Sequence, residues 1–538
     1  MTFTSLAFAL FVVVTILVYF LLPLRRYQWV VLLAASYVFY VYNSFQYTIF
    51  ILFTTATIFV AARGMESMAK ATSATVKAHR DDWDRKARKA FKQKAKKKQQ
   101  AVLVLTLVAN FGILFLLKYF NFMAGGLLHL IGQAPADGKF ISLLLPLGIS
   151  FYTFQATGYL IDVYRETVQA EKNPLRFALF VSFFPQIVQG PISTFDQLGG
   201  QLFATHRPEW RRFKLGGQLI LWGMFKKLVI ADRALAAINT VTDDYTAWPG
   251  ETILFAALLY ALQLYADFSG GIDIARGVAQ ILGIDLEQNF RQPYFSKSIN
   301  EYWTRWHITL GAWMKNYVFY SLAVSELFMN MSRRMGKSGF GQTSAGRHIS
   351  RTLPTALASF VVFLLIGIWH GANSRYIGFG LWNGGVIMFS VLMMPAYAAG
   401  LRLLHINAKA RLWQLFQMVR TFVVILIGYY FDIAPNFAGA LDMMWRSVAD
   451  FHLRSGMTIL REIGLHASDC MILVYGLVII FYFSVRLEKT GLATPGDLLS
   501  RRSPVIQWLA ILLLIISVIL FGQYGSGYDP ADFVYMGF

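Results

Sequence analysis

Two histidines stand in surroundings that are otherwise apolar or aromatic. His370 closes the apolar run from Thr355 to Trp369 and precedes Gly371-Ala372-Asn373, and His307 lies within Trp303-Thr-Arg-Trp-His-Ile-Thr-Leu310. An imidazole at membrane depth is costly unless it is paired or faces a water-filled cavity, so such a residue reads first as functional. A neutral imidazole is a competent general base, and general base catalysis contributes roughly 10²–10⁴-fold. The bland reading of His370 is a ring satisfied by a backbone carbonyl at a helix end.

Around His307 the spacing predicts a helix. Ser298-Ile-Asn-Glu301 fits a capping box, with Ser298 as N-cap and Glu301 three residues on. From there Trp303, Trp306, Leu310, Trp313 and Tyr317 recur at three and four residues, which predicts one aromatic stripe on a helix reaching about Phe319. Glu301 and Arg305 stand at i,i+4 in the favoured order for an ion pair. Aromatic stripes are ordinarily packing. A histidine and an ion pair inside this one point instead to the wall of a polar cavity.

Other chemistries are absent from the sequence. It contains no G-x-S-x-G elbow, no Walker loop, no complete dinucleotide fingerprint and no HExxH. Its single cysteine, Cys470, excludes intrachain disulfides, CxxC redox chemistry and multi-thiolate metal sites, and no metal site is read from the chain. Acid/base work centred on histidine is what remains.

The elements that must hold these residues are membrane helices. Of 538 residues, 56% are hydrophobic and only 14% charged, against about 25% charged in soluble domains. Apolar runs of the length that crosses a ~30 Å hydrocarbon core recur along the chain. The expected fold is an all-α polytopic membrane protein of one domain, 1–538, with roughly 11–13 transmembrane or re-entrant helices around a central tunnel. Pro146-Leu-Gly148, Pro185, Gly190-Pro191 and Gly270-Gly271 interrupt the apolar segments of the middle third. Irregular backbone at membrane depth must be enclosed by protein or line a cavity, so 142–385 reads as the centre and the flanking helices as the wall. No internal repeat of the transporter kind is visible.

Charge orients the frame. The net charge is +20, and Arg63 to Lys98 carries thirteen Lys/Arg against four Asp/Glu. A basic run of this kind can contact nucleic acid, but it fits a positive-inside loop better. The positive-inside rule reads 63–100 as a cytoplasmic loop near anionic lipid headgroups, with Ala87 to Lys98 capable of forming a helix. The first apolar run, Phe3 to Leu22, lacks the flanks of a signal peptide and reads as a retained helix with an extracytoplasmic N-terminus. A second basic stretch within 322–352 reads as another cytoplasmic loop.

Five segments then carry a resemblance. Pro146-Leu-Gly-Ile-Ser-Phe-Tyr-Thr-Phe-Gln155, Phe184-Pro-Gln-Ile-Val-Gln-Gly-Pro191, Gln263-Leu-Tyr-Ala-Asp-Phe-Ser-Gly270, Trp303-Thr-Arg-Trp-His-Ile-Thr-Leu310 and Gly367-Ile-Trp-His-Gly371 occur in that order. Together with the ending Asp532-Phe-Val-Tyr-Met-Gly-Phe538, the chain resembles the bacterial branch of the membrane-bound O-acyltransferase family. The resemblance implies His370 as the essential catalytic histidine and His307 as its second. It implies Trp303, Arg305, Trp306, Asn300, Asp267 and Gln189 as tunnel candidates, although a structural role is at least as natural for Asp267. Lys315-Asn316 stands where that branch commonly has Arg-Asp, which puts any ion pair there in doubt.

The activity implied is acyl transfer, acetyl first, in a bacterial inner membrane. It would run from a cytosolic thioester, acetyl-CoA or an acyl carrier protein, to hydroxyls of an extracellular or cell-wall polysaccharide, directly or through an SGNH-type partner. No bound cofactor is implied. D-alanyl transfer to teichoic acid from a carrier protein stays open, as does a polymer-precursor transporter or flippase.

Overall fold

The computed structural model of the chain describes residues 1–130 and 146–524. Residues 142–145, the start of the expected centre 142–385, and the aromatic ending 532–538 lie outside the described residues. Helix dominates, because a segment crossing hydrocarbon must satisfy its backbone groups internally. Among the described residues seven helical stretches are long and apolar enough to cross a bilayer. The number is eight if Ser374–Leu392 and Met394–Leu403, bent by 59°, count as one broken span. Together they make the chain a multi-pass membrane protein.

Contacts divide the chain into two compact units, Met1–Gly217 with Ala275–Glu287, and Gln218–Ile274 with Gln288–Phe538. In the first unit lie α1 (Leu6–Leu21), α2 (Gln28–Ser44), α3 (Thr48–Ala78), α4 (Arg85–Leu130) and α5 (Ile149–Tyr164). Helices α3 and α4 hold 31 and 46 residues, and at 1.5 Å per residue their lengths of ~46 and ~69 Å exceed the hydrocarbon core. The basic stretch 63–100, read above as a loop, is therefore the helical continuation of α3 and α4. Glu66 sits between Arg63 at 2.6 Å and Lys70 at 3.1 Å, and Gln99 Nε2 donates to Met65 O at 3.2 Å. At the turn Asp84 Oδ1 accepts from Ala87 N, and His79 stacks on Trp83 with centroids 4.7 Å apart. The apolar segment interrupted by Pro185 and Gly190-Pro191 is broken, into Pro174–Ser182 and the single turn Phe184–Ile187.

The second unit opens with the last turns of α6 (Trp210–Met224) and a π-helical segment, Phe225–Ala231. That segment buries two lysines against α7 (Gly250–Ile281). Lys226 Nζ reaches Asp273 Oδ2 and Ser269 Oγ at 2.7 Å each, and Lys227 Nζ reaches Asp267 at 2.6 Å and Asp232 at 2.8 Å. The close approach requires glycine: a Cβ on Gly223 would meet Gly270 O at 2.5 Å.

Then come α8 (Ile299–Arg305), α9 (Ile308–Trp313), α10 (Glu326–Lys337), α11 (Ser344–His370), α12 (Ser374–Leu392), α13 (Arg411–Ile433) and α14 (Ala467–Thr490). The second basic stretch, 322–352, is also mostly helix, in α10 and the first turns of α11. Helices α11 and α12 pack as an antiparallel pair around Gly367, where a Cβ would meet Tyr376 O at 2.2 Å.

The helix expected from Ser298 to Phe319 does not run through. It stops after Arg305, resumes at Ile308 as α9, and widens to a π-helical turn over Met314–Phe319. The cause is tertiary. Residues 289–291 lie antiparallel to 305–308, with Arg291 N donating to Arg305 O and Ile308 N to Asn289 O, both at 3.0 Å. Those bonds replace helical ones and leave His307 at φ +46°, ψ +53°, and Gln292, just past the facing segment, also stands at positive φ, +41°.

Candidate active site

The break in the helix brings the two histidines to one cavity. It measures about 480 Å³, lies wholly within the second unit, and is lined by His307 and His370 together with Trp303, Trp306, Asn300 and Asp432. His370 is the last residue of α11, and Ser359, Val362, Phe363 and Ile366 of the same helix line the wall below it. Eleven residues separate Ser359 from His370, so this wall runs ~16 Å along the helix axis. Lys315, exposed, also lines the cavity, which makes it a side chain at the opening.

Each imidazole is held by rings. His370 stacks on Tyr376 at 5.7 Å with 22° between planes, and Phe379 meets it at 5.3 Å. Tyr376 is fixed in turn by Arg375, whose Nη2 donates to the Tyr376 hydroxyl at 3.0 Å and whose Nη1 donates to Ala434 O at 2.7 Å. His307 stands edge-on to Phe268 at 4.9 Å and 85°. Its Nδ1 lies 3.2 Å from Asn289 Oδ1, an oxygen that also accepts from Thr309 N and Thr309 Oγ1 at 3.0 Å each. His307 lies between α8 and α9 and is buried.

The remaining candidates separate by position. Trp303, Trp306 and Asn300 line the cavity with the histidines. Arg305 does not. Its guanidinium takes Glu301 at 2.7 Å and both oxygens of Glu488 on α14 at 2.8 and 2.9 Å, a clamp that pins the end of α8. The Ser298 cap forms as expected, with its hydroxyl accepting from Glu301 N at 3.2 Å, but the Glu301 carboxylate returns to Lys297 N rather than to Ser298.

Asp267 is turned away to Lys227, so the Asp267-Phe268-Ser269 motif works through its middle residue: its flanks anchor lysines and Phe268 packs His307. Gln189 belongs to the first unit and does not line this cavity. It is fully buried, and neither amide atom has a hydrogen-bond partner among the described residues. Trp313 and Tyr317, expected on the same stripe as Trp303, meet each other at 5.1 Å instead, because the break at 306–307 rotates the later turns away from the first.

Two cavity features escaped the sequence reading. Asp432 ends the apolar run of α13, and the rule that flags intramembrane histidines applies equally to it. The other is a hydroxyl chain. Tyr294 Oη donates to Ala261 O at 2.6 Å and lies 3.0 Å from Tyr429 Oη, which lies 2.8 Å from Tyr302 Oη. No local signal links residues so distant in the chain.

Two imidazoles on one cavity with an apolar wall are an arrangement that can support acid/base chemistry. The family model described as membrane-bound O-acyltransferase matches residues 170–336, a stretch that includes His307 and ends before His370. The chain is similar to the probable alginate O-acetylase of Pseudomonas aeruginosa, 33% identical over 83% of this chain and 74% of that protein. It is also similar to the peptidoglycan O-acetyltransferase of Helicobacter pylori, 31% identical over 64% and 63% of the two chains. The teichoic acid D-alanyltransferase of Bacillus subtilis is 28% identical over 63% of this chain and 79% of its own length. The chain belongs to the membrane-bound O-acyltransferase family.

Proposed function

We propose that this enzyme O-acetylates an extracellular or cell-wall polysaccharide, drawing the acetyl group from a cytosolic thioester and passing it across a bacterial inner membrane. The observation that carries the reading is the pair of histidines on one cavity inside a membrane protein. Donor and acceptor on opposite sides of a bilayer require a reaction site within it, and enclosure there keeps water from competing for the thioester.

In the proposed step, His370 Nε2 takes the proton of the acceptor hydroxyl as its oxygen attacks the thioester carbonyl. The new C–O bond forms, the C–S bond breaks, and the proton passes to the leaving thiolate. The acceptor is the polymer or an SGNH-type relay partner, and the donor is acetyl-CoA or an acyl carrier protein. Acetyl is preferred over D-alanyl because O-acetylating relatives match at 31–33% identity and the D-alanyltransferase at 28%. In the same reading the N-terminus is extracytoplasmic and the two basic stretches face the cytoplasm.

Replacing His370 with Ala tests this. Ester acetate on the extracellular polysaccharide, measured by mass spectrometry, is expected to disappear while the protein accumulates in the membrane at its usual level. Unchanged ester content would end the proposal.

A further inference from the structure

We propose that Asn289 is a positioning residue that holds His307 as its Nδ1–H tautomer, leaving Nε2 as the atom of that ring that accepts a proton. The proposal deepens the acyl-transfer reading and rests on it for the reaction, though not for the tautomer itself.

The assignment rests on what each atom can do. The backbone N–H of Thr309 can only donate, and it points at Asn289 Oδ1 from 3.0 Å. Turning the amide over would set its NH₂ group against that N–H, so the atom there is the oxygen. An amide oxygen only accepts. His307 Nδ1, 3.2 Å from the same oxygen, therefore carries the hydrogen. A neutral imidazole protonated at Nδ1 keeps a lone pair at Nε2. Asn289 is absent from the cavity lining and His307 is part of it, so the Nδ1 edge faces the anchor and not the cavity.

The same asparagine also grips the main chain. Its backbone carbonyl accepts from Ile308 N at 3.0 Å, beside a residue held in the left-handed region. One residue thus sets the backbone turn, the ring orientation and the tautomer together. The consequence for chemistry is a division of labour. Neutral His307 can take a proton at Nε2 but presents no N–H there to a developing oxyanion. That duty falls to the Trp303 indole N–H, which is buried, belongs to a cavity-lining residue, and has no hydrogen-bond partner among the described residues.

Charged and titratable groups surround the ring from each neighbouring element. His370 on α11, Asp432 on α13 and Lys315 on the π-helical turn line the same cavity. Arg305 on α8 is tied to Glu301 and Glu488, and Asp267 on α7 is tied to Lys227.

The first test needs no turnover. In ¹⁵N solid-state NMR of the full chain, histidine-labelled and reconstituted in lipid, the His307 resonances are those missing from the His307→Asn variant. Protonated Nδ1 with bare Nε2 is expected; the opposite tautomer overturns the proposal.

The second test is kinetic. Asn289→Asp keeps an oxygen for both donors and adds a negative charge that favours imidazolium. The acid limb of the kcat/KM profile is expected to move upward by roughly 1–3 pH units. Asn289→Leu is expected to lower kcat roughly 10²-fold with little change in KM. A folded Asn289→Asp variant whose profile superimposes on the wild type overturns the proposal. If the wild-type protein acylates no polysaccharide, only the acyl-transfer reading falls, and the NMR result still decides the tautomer.

Discussion

At the scale of the residue, His307 shows how chemistry and backbone can be confounded in one position. Its φ of +46° is a conformation that asparagine tolerates and alanine does not share cheaply. His307→Asn is therefore expected to keep the melting temperature in detergent near wild type while acetyl transfer falls. His307→Ala is expected to lose roughly 1–3 kcal/mol in addition, from strain. Equal melting temperatures for the two variants would show that the turn is not strained. The same logic isolates Trp303. Trp303→Phe keeps an aromatic ring beside Phe363, 4.9 Å away in the wild type, and removes the N–H together with the five-membered part of the indole. A donor to the transition state is worth roughly 10²–10³ in kcat, so kcat is expected to fall by that factor at nearly constant KM for the thioester. Both histidines were legible in the sequence because polarity in an apolar run is conspicuous. Asn289 was not, because its role depends on a pairing formed 18 residues away in a loop that carries no local pattern.

At the scale of the element, periodicity and packing disagree where function sits. The spacing of Trp303, Trp306, Leu310, Trp313 and Tyr317 describes one helix, and the antiparallel contact with 289–291 overrules it. Propensity is a weak prior that a few tertiary hydrogen bonds can reverse. Elsewhere the local signals held, as in the Ser298 cap and the Glu301–Arg305 pair. The α11–α12 pair depends on Gly367, whose missing side chain lets the backbone of Tyr376 pass. Gly367→Ala is expected to cost about 1–3 kcal/mol through overpacking, read as a lower melting temperature, and to reduce activity by displacing His370 three residues on. The π-helical segment carries a larger stake. Lys227 is 1% exposed and answers both Asp232 and Asp267. Lys227→Met would take a buried cation away from two buried carboxylates, and breaking such a network costs about 3–5 kcal/mol. Pairing it with Asp267→Asn should recover part of the loss, whereas additive losses would argue against a shared network.

At the scale of the whole molecule, composition and charge made the membrane class plain, but they could not say which apolar segments cross and which stop short. Segments interrupted by proline became short helices and turns, whereas Gly270-Gly271 lies inside the unbroken helix α7, where the missing side chain of Gly270 admits a neighbouring backbone instead of ending the helix. Both basic stretches turned out to be mostly helix. The orientation proposed from charge is open to direct measurement, since Cys470 is the one native thiol. In a Cys470→Ser background, a cysteine placed at Ser73 should react with impermeant maleimide only after the membrane is opened, and one at Thr2 should react in intact cells. The reverse pattern would invert the topology.

Helices α3 and α4 also offer a practical opening. They continue without a break from apolar to basic sequence, so the turn between Ala78 and Arg85 is carried on a stiff two-helix stalk. A small soluble domain grafted across that turn would inherit the stalk's orientation. It would give electron microscopists a rigid landmark on the two-helix stalk.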